Sequence, residues 1–473
     1  MRALSLVLVF GLATGVAPRA GVAPGILGTP AGQALIGWLR AFDGGDRATF
    51  LAFLKSRYPS SVKLIDDDMQ FRKMTGGFVV REIVTSAPTR LVATVEDQNN
   101  EQFATMIVET ESAAPYLIDR ISVRAIATPA GFAPSAMSQS ELLAALGSKV
   151  EAETSAGGFS GAVLVAKDGQ PIFARAYGQA DREHNIANTL ETRFRIGSMN
   201  KMFTAVATLQ LVAAGKINLD APLGTYLPDY PNKVVATRVT IGELLDHTGG
   251  TGDIFGPQFD AHRLELQSLQ DYEKLYGSRG PAFTPASKWD YSNYGFVLLG
   301  LAIERVSGQS YYDYVREHVY APAGMTSTGS EPENEAVPGR STGYTLDPNG
   351  KLVPNTDTLP YRGTSAGGGY STVGDLLNFA NALQQHRLLD TRYTDILTTG
   401  KVDTPNGSRY AYGFEDHRFN GVRCFGHGGG APGMNGELEI CPVNGYVVTV
   451  LANMDPPAAT RIADFVTARL PKM

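Results

Sequence analysis

Ser198 and Lys201 stand three residues apart at the start of an amphipathic stretch, residues 194–215, FRIGSMNKMFTAVATLQLVAAG. A serine hydroxyl is a poor nucleophile until a base takes its proton. A lysine serves as that base only when lost solvation and neighbouring cationic or hydrogen-bonding groups bring its pKa toward neutrality. The apolar residues Met202, Phe203, Val206, Leu209, Leu211 and Val212 predict a helix with a buried face, stopped at Gly215 in a left-handed cap. On that helix the serine and lysine leave one side, close enough to share a proton. The unpaired N–H groups of its first turn point at any oxyanion forming beside Ser198. The same S-x-x-K spelling occurs at Ser60 and Lys63, after Pro59 and before an expected strand, with no helix start to support it. Spacing alone therefore does not select a site, the plain alternative being a capping serine and a solvated lysine.

Two further motifs follow in order. The first is Trp289-Asp290-Tyr291-Ser292-Asn293-Tyr294-Gly295, and the second is Phe425-Gly426-His427-Gly428-Gly429-Gly430, on a strand before a hairpin and a terminal helix. With S-x-x-K, then Y-x-N, then a polar-plus-glycine strand, the chain from 138 to 473 resembles the serine β-lactamase and penicillin-binding-protein superfamily. The resemblance is to its class C β-lactamase-like hydrolases and esterases. It implies a mixed α/β fold with a central antiparallel sheet flanked by helices and an all-helical subdomain. It also implies that Ser198 is the acylated nucleophile, Lys201 its base, and Tyr291 the phenol that relays the proton to the leaving group. Asn293 would hold Lys201 and contact the substrate carbonyl region. His427, Gly428 and Gly429 would line the substrate, and the N–H of Gly430 would join that of Ser198 in an oxyanion hole. In physical terms a phenol becomes useful here when an adjacent ammonium stabilises its anion, and the same contact depresses the lysine.

The departure from the family pattern is at His427, where lactamases have the lysine of K-T-G. A neutral imidazole gives up much of a charge-assisted contact to a substrate carboxylate, about 1.5–3 kcal/mol. That favours substrates without a carboxylate, and esterases of this family often carry histidine or tryptophan there. The expected function is an exported serine hydrolase that cleaves ester or amide bonds without metal or cofactor. Its alternatives are a β-lactamase or a D-amino-acid-specific peptidase acting on cell-wall peptides, and a catalytically inactive peptidoglycan-binding protein. The intact trio Ser198, Lys201 and Tyr291 argues against the last. Gly363-Thr364-Ser365-Ala366-Gly367 spells the G-x-S-x-G elbow of α/β-hydrolases, but no apolar strand precedes it and the next helix begins later, at Ser371 or Thr372. Asp246, His247 and Asp253 lie close in sequence without a repeated ligand spacing. They are read as a polar helix end with a glycine turn, not a metal site.

The elements that must position these residues belong to a chain of 473 residues, long for one domain, with 43% hydrophobic and 9% aromatic content. A net charge of -6 with no basic stripe gives no support for nucleic-acid binding. The expected partner is a small ester, amide or peptide substrate. Residues 1–23 have the layout of a secretory signal peptide: Met1-Arg2, then an uncharged run to Pro18. Export to the periplasm or beyond follows, with membrane association only if that segment is uncleaved. Residues 25–126 read as two helical patterns, 34–42 and 47–57, then strands at 77–85, 91–96, 103–109 and 116–123. That layout resembles NTF2-like or cystatin-like α+β domains and shows no catalytic constellation. A Pro- and Ala-rich linker at 127–137 precedes the hydrolase domain. The only cysteines, Cys424 and Cys441, flank the turn at 431–434 symmetrically. In an exported protein this favours a disulfide across two antiparallel strands over a pair of buried thiols.

Overall fold

In the computed structural model, residues 28–347, 350–405 and 407–471 are described. The expected signal segment, 1–23, lies outside them. The chain divides into two units, the first ending at Arg124 and the second beginning at Ala125.

In the first unit, helices Pro30–Asp43 and Arg47–Arg57 start where side-chain oxygens cap them. Thr29 accepts from the Gly32 N–H and Asp46 from the Thr49 N–H. Four strands, Phe78–Ser86, Arg90–Asp97, Phe103–Thr110 and Ile118–Ile126, form a sheet in sequence order. Trp38, Phe42, Phe50 and Leu54 bury their rings and methyls against Leu91, Val95, Met106 and Val108 of that sheet. One expectation is corrected. Ser60 and Lys63 do not precede a strand; they lie in a 3-10 helix, Pro59–Leu64, that runs into a third helix, Ile65–Thr75. That helix lacks an apolar stripe and is held by Asp66, Asp67 and Asp68 in its first turn and Arg72 and Lys73 in its last, complementing the helix dipole. Both Ser60 and Lys63 are exposed, so nothing desolvates the amine.

The second unit is built on an eight-stranded sheet. Its order is Val402–Asp403, Arg409–Tyr410, Glu415–Phe419, Val422–Ala431, Met434–Cys441, Tyr446–Ala452, Gly161–Lys167 and Gln170–Tyr177, each antiparallel to the next. Side chains alternate between its faces. Val163, Val165, Val448 and Val450 pack under helices Gln139–Ser155 and Thr460–Thr467. Leu164, Phe425, Leu438 and Ile440 face a larger core that contains helices Asn200–Ala213, Asn293–Ser307 and Val373–Gln384. Short helices Lys233–Arg238, Ile241–Leu245, Pro257–His262 and Leu269–Tyr276 lie between the first two of these in the chain. A central antiparallel sheet flanked by helices, with a helical part beside it, is the layout that the resemblance implied. Residues 127–137 are tied to this unit: the Met137 N–H donates to the Arg469 carbonyl at 3.0 Å, and Asn420 Nδ2 to that of Pro134 at 3.1 Å. A disulfide joins Cys424 to Cys441, with Cα atoms 4.1 Å apart across the hairpin. Among the described residues no helix is long and apolar enough to cross a membrane.

Candidate active site

Ser198 occupies a 3-10 turn, Gly197–Met199, that leads directly into helix Asn200–Ala213. Gly197 has φ +53, and a Cβ there would lie 3.0 Å from the Gly430 nitrogen. The turn is thus pressed against the strand Val422–Ala431. At Gly429 a Cβ would fall 1.9 Å from the Ile196 carbonyl oxygen and 3.0 Å from the Ser198 nitrogen, so no other residue fits. The amides of Ser198 and Gly430 consequently lie on either side of one narrow contact. A Cβ at Gly428 would come within 2.8 Å of the Glu437 carboxylate.

Lys201 is fully buried. Its Nζ lies 3.3 Å from Ser198 Oγ, donates to Asn293 Oδ1 at 2.7 Å, and donates to the Ala366 carbonyl. Loss of solvent pulls its pKa from 10.5 down to about 7, against the opposing pull of the Asp253 carboxylate. A neutral amine has two N–H bonds and one lone pair. With the two donors engaged by Asn293 and Ala366, the lone pair is left for the Ser198 hydroxyl. Asn293 is oriented in turn by its Nδ2, which donates to Asp253 Oδ1 at 2.9 Å.

Tyr291 lies beside the pair, its ring centroid 4.7 Å from Lys201 Nζ, and the Ser198 hydroxyl is among the groups that act on its phenol. The expectation that the ammonium stabilises a phenolate is corrected. Lys201 lies over the ring face, and burial pushes the phenol well above its usual 10. Burial therefore keeps Tyr291 as the neutral phenol. The depression of Lys201 likewise comes from desolvation and not from the phenol.

His427 is 4% exposed and sits in the wall behind Tyr291, the ring centroids 6.3 Å apart. Its Nδ1 donates to the Gly428 carbonyl and its Nε2 accepts from the buried Tyr410 hydroxyl at 3.0 Å. Burial and the nearby Lys201 hold its pKa down at about 3, so the ring is neutral. Both nitrogens are used inside the protein, and little of the ring is open to a ligand.

Ser365 is wholly buried against Gly300, in the loop before Tyr370–Ser371, and helix Val373–Gln384 starts after the Thr372 cap. It is the backbone of this loop that serves the site, through the Ala366 carbonyl. Asn200 and Thr204 bind the same loop from the lysine helix, donating to the Thr364 carbonyl and, at 2.7 Å, to that of Ser365. Their polar i, i+4 spacing inside an apolar helix was the readable sign of this role. His247 does end a short helix, but it is no surface residue: it is 1% exposed, its ring 4.3 Å from that of Tyr291. Asp246 bonds Thr248 while Asp253 bonds Asn293, so the three do not converge. Among the described residues no group of three His, Cys, Asp or Glu side chains could hold a metal ion.

The sequence profile of the beta-lactamase family matches residues 147–470. The chain belongs to the beta-lactamase family. Within that family of serine hydrolases it is 32% identical to the putative penicillin-binding protein PbpX of Bacillus subtilis, over 54% of this chain and 62% of that protein. To esterase EstB of Burkholderia gladioli it is 35% identical, over 37% of this chain and 48% of the esterase. A crystal structure of a penicillin-binding protein from Bacillus halodurans superposes with a TM-score of 0.62 at 33% identity, covering 66% of this chain and 98% of that one. The chain thus spans less than two thirds of the length of either curated relative.

Proposed function

We propose that this beta-lactamase-family chain is an exported hydrolase that forms an acyl-enzyme on Ser198 and cleaves ester or amide bonds in small substrates. The observation that carries the reading is the buried Lys201 amine, its two donors occupied and its lone pair facing Ser198 Oγ at 3.3 Å. In this scheme Lys201 takes the hydroxyl proton as Oγ attacks the substrate carbonyl carbon. The N–H groups of Ser198 and Gly430 hold the charge that develops on the carbonyl oxygen. Tyr291 protonates the leaving alkoxide or amine and recovers its proton from the Lys201 ammonium. Water then attacks the acyl carbon by the same steps in reverse, and Ser198 leaves with its proton restored.

The neutral, inward-turned His427 supports substrates without a carboxylate at that strand, and the likeness to an esterase points the same way. The penicillin-binding-protein relatives favour a second reading, hydrolysis of D-amino-acid peptides or β-lactams. Export is supported by the apolar N-terminus and by the Cys424–Cys441 disulfide, which suits an oxidising compartment. The test is burst release of nitrophenol from short-chain acyl esters, run beside nitrocefin and D-alanyl peptides, with wild type, Ser198→Ala and Lys201→Ala. A burst confined to wild type on the esters is expected. Turnover of D-alanyl peptides alone would move the assignment to the second reading, and no burst on any substrate would favour a binding protein.

A further inference from the structure

The short helix Ile241–Leu245 ends in a turn whose residue His247 has φ +64, a left-handed conformation uncommon outside glycine and held here by the surroundings. The enforcement is visible. Thr248 and Gly249 N–H both donate to the Glu243 carbonyl at 2.9 Å, and the Asp246 carboxylate accepts from the Thr248 N–H and hydroxyl. The turn drives the imidazole into a cage of rings: Tyr291 at 4.3 Å, Tyr410 at 4.5 Å, Phe296 at 5.2 Å and Trp289 at 6.2 Å between centroids. Inside that cage Nδ1 accepts from the Ser292 N–H at 3.1 Å, and the His247 carbonyl accepts from the Asp290 N–H at 3.0 Å. These two bonds grip the residues on either side of Tyr291.

Because Nδ1 is an acceptor, the ring proton is on Nε2, which meets no acceptor among the described residues. Nδ1 is therefore the ring's sole polar anchor there. Ser292 is also tied from its side chain, which donates to the Gly252 carbonyl, bonds Thr251 and accepts from the Gly295 N–H. We propose that His247 is a positioning residue for Tyr291, its imidazole Nδ1 and its carbonyl fixing the backbone that aims the phenol at Ser198. Asparagine or glycine would fit the left-handed turn at less strain, so a histidine here is explained by what its ring reaches. The ring must stay neutral for this, since an Nδ1–H would oppose the Ser292 N–H. The surrounding groups agree: burial, and after it the nearby Lys201 amine, keep its pKa well below 6.5.

The inference rests on the Ser198 and Tyr291 reading above, and its test separates the two. An asparagine amide oxygen overlays Nδ1 and tolerates the turn, whereas a glutamine amide reaches only the Nε2 position. Labelling of Ser198 by a fluorophosphonate should fall roughly 10–100-fold in His247→Gln, as for a reacting group displaced by about 1 Å, and stay within about threefold of wild type in His247→Asn. The dissociation constant of a nitrophenyl ester, read from the concentration dependence of the burst rate, should not move. In a Tyr291→Phe background His247→Gln should cost nothing more, because the group it positions is gone. If His247→Gln does not fold, His247→Gly relieves the turn, and added imidazole should restore its labelling. Equal losses in the Asn and Gln variants, a loss that persists in Tyr291→Phe, or no rescue by imidazole would overturn the inference. Absence of labelling in wild type would overturn the Ser198 reading itself, and this one with it.

Discussion

Lys201 is the residue on which the chemistry can be weighed. Its pKa falls from 10.5 to about 7 because the folded chain strips it of water. The unfolded chain then binds more protons than the folded one between about pH 7 and 10.5. Folded stability must rise with pH across that window and fall as pH drops back through it. At ~1.36 kcal/mol per pKa unit the swing is about 4 kcal/mol. Lys201→Met keeps the volume and removes the titration, though it leaves Asn293 Oδ1 and the Ala366 carbonyl without their donor. That penalty does not depend on pH, so the diagnostic is the difference between wild type and variant. The gap should move by about 4 kcal/mol in favour of wild type between pH 7 and pH 10.5. The two tryptophans make the assay clean, one in each unit: with Trp38→Phe, urea unfolding followed by Trp289 fluorescence reports the second unit alone. A gap that stays flat with pH would mean that Lys201 keeps its ordinary pKa and is not the base described here.

The same titration should appear in kinetics: fluorophosphonate labelling should rise about tenfold per pH unit up to about 7 and then level off. No histidine step is expected near 6.5, because His427 and His247 are both held below it. Tyr291→Phe should lower acylation by about 10²–10⁴-fold, the usual worth of a positioned proton donor, read as the rate of the nitrophenol burst. Gly429→Ala should abolish the burst with the protein still folded by circular dichroism, since its Cβ would strike the Ile196 carbonyl and force the serine turn away. Loss of the Cys424–Cys441 bond, in Cys424→Ser/Cys441→Ser, should destabilise the second unit by about 3 kcal/mol, from the short loop it closes, measured by urea midpoint.

What was legible in the sequence was whatever one element carries by itself. Ser198 and Lys201 share a turn and a helix, the hairpin turn lies midway between the two cysteines, and the pair Ser371 and Thr372 announces the helix that Thr372 caps. Ile65–Thr75 was missed because its residues are charged on most sides, so helix-dipole pairing replaces an apolar period. Glu415–Phe419 was missed as a strand because EDHRF is polar, yet it takes its place through backbone pairing with Val422–Ala431. In the site, the illegible part is what long-range contact creates. The Ala366 carbonyl has no side chain to read, and the burial of the Tyr291 oxygen that keeps it a phenol is a property of the assembled pocket. His247 reads as a helix end in one dimension and becomes a clamp only when the 290–292 segment arrives beside it.

The account's central claim is that Ser198 carries the acyl group. Reaction with a fluorophosphonate, followed by intact mass and peptide mapping, tests it most directly. One adduct on the peptide bearing Ser198, absent from Ser198→Ala, is the predicted result. An adduct on Ser365, or one that survives in Ser198→Ala, would contradict it.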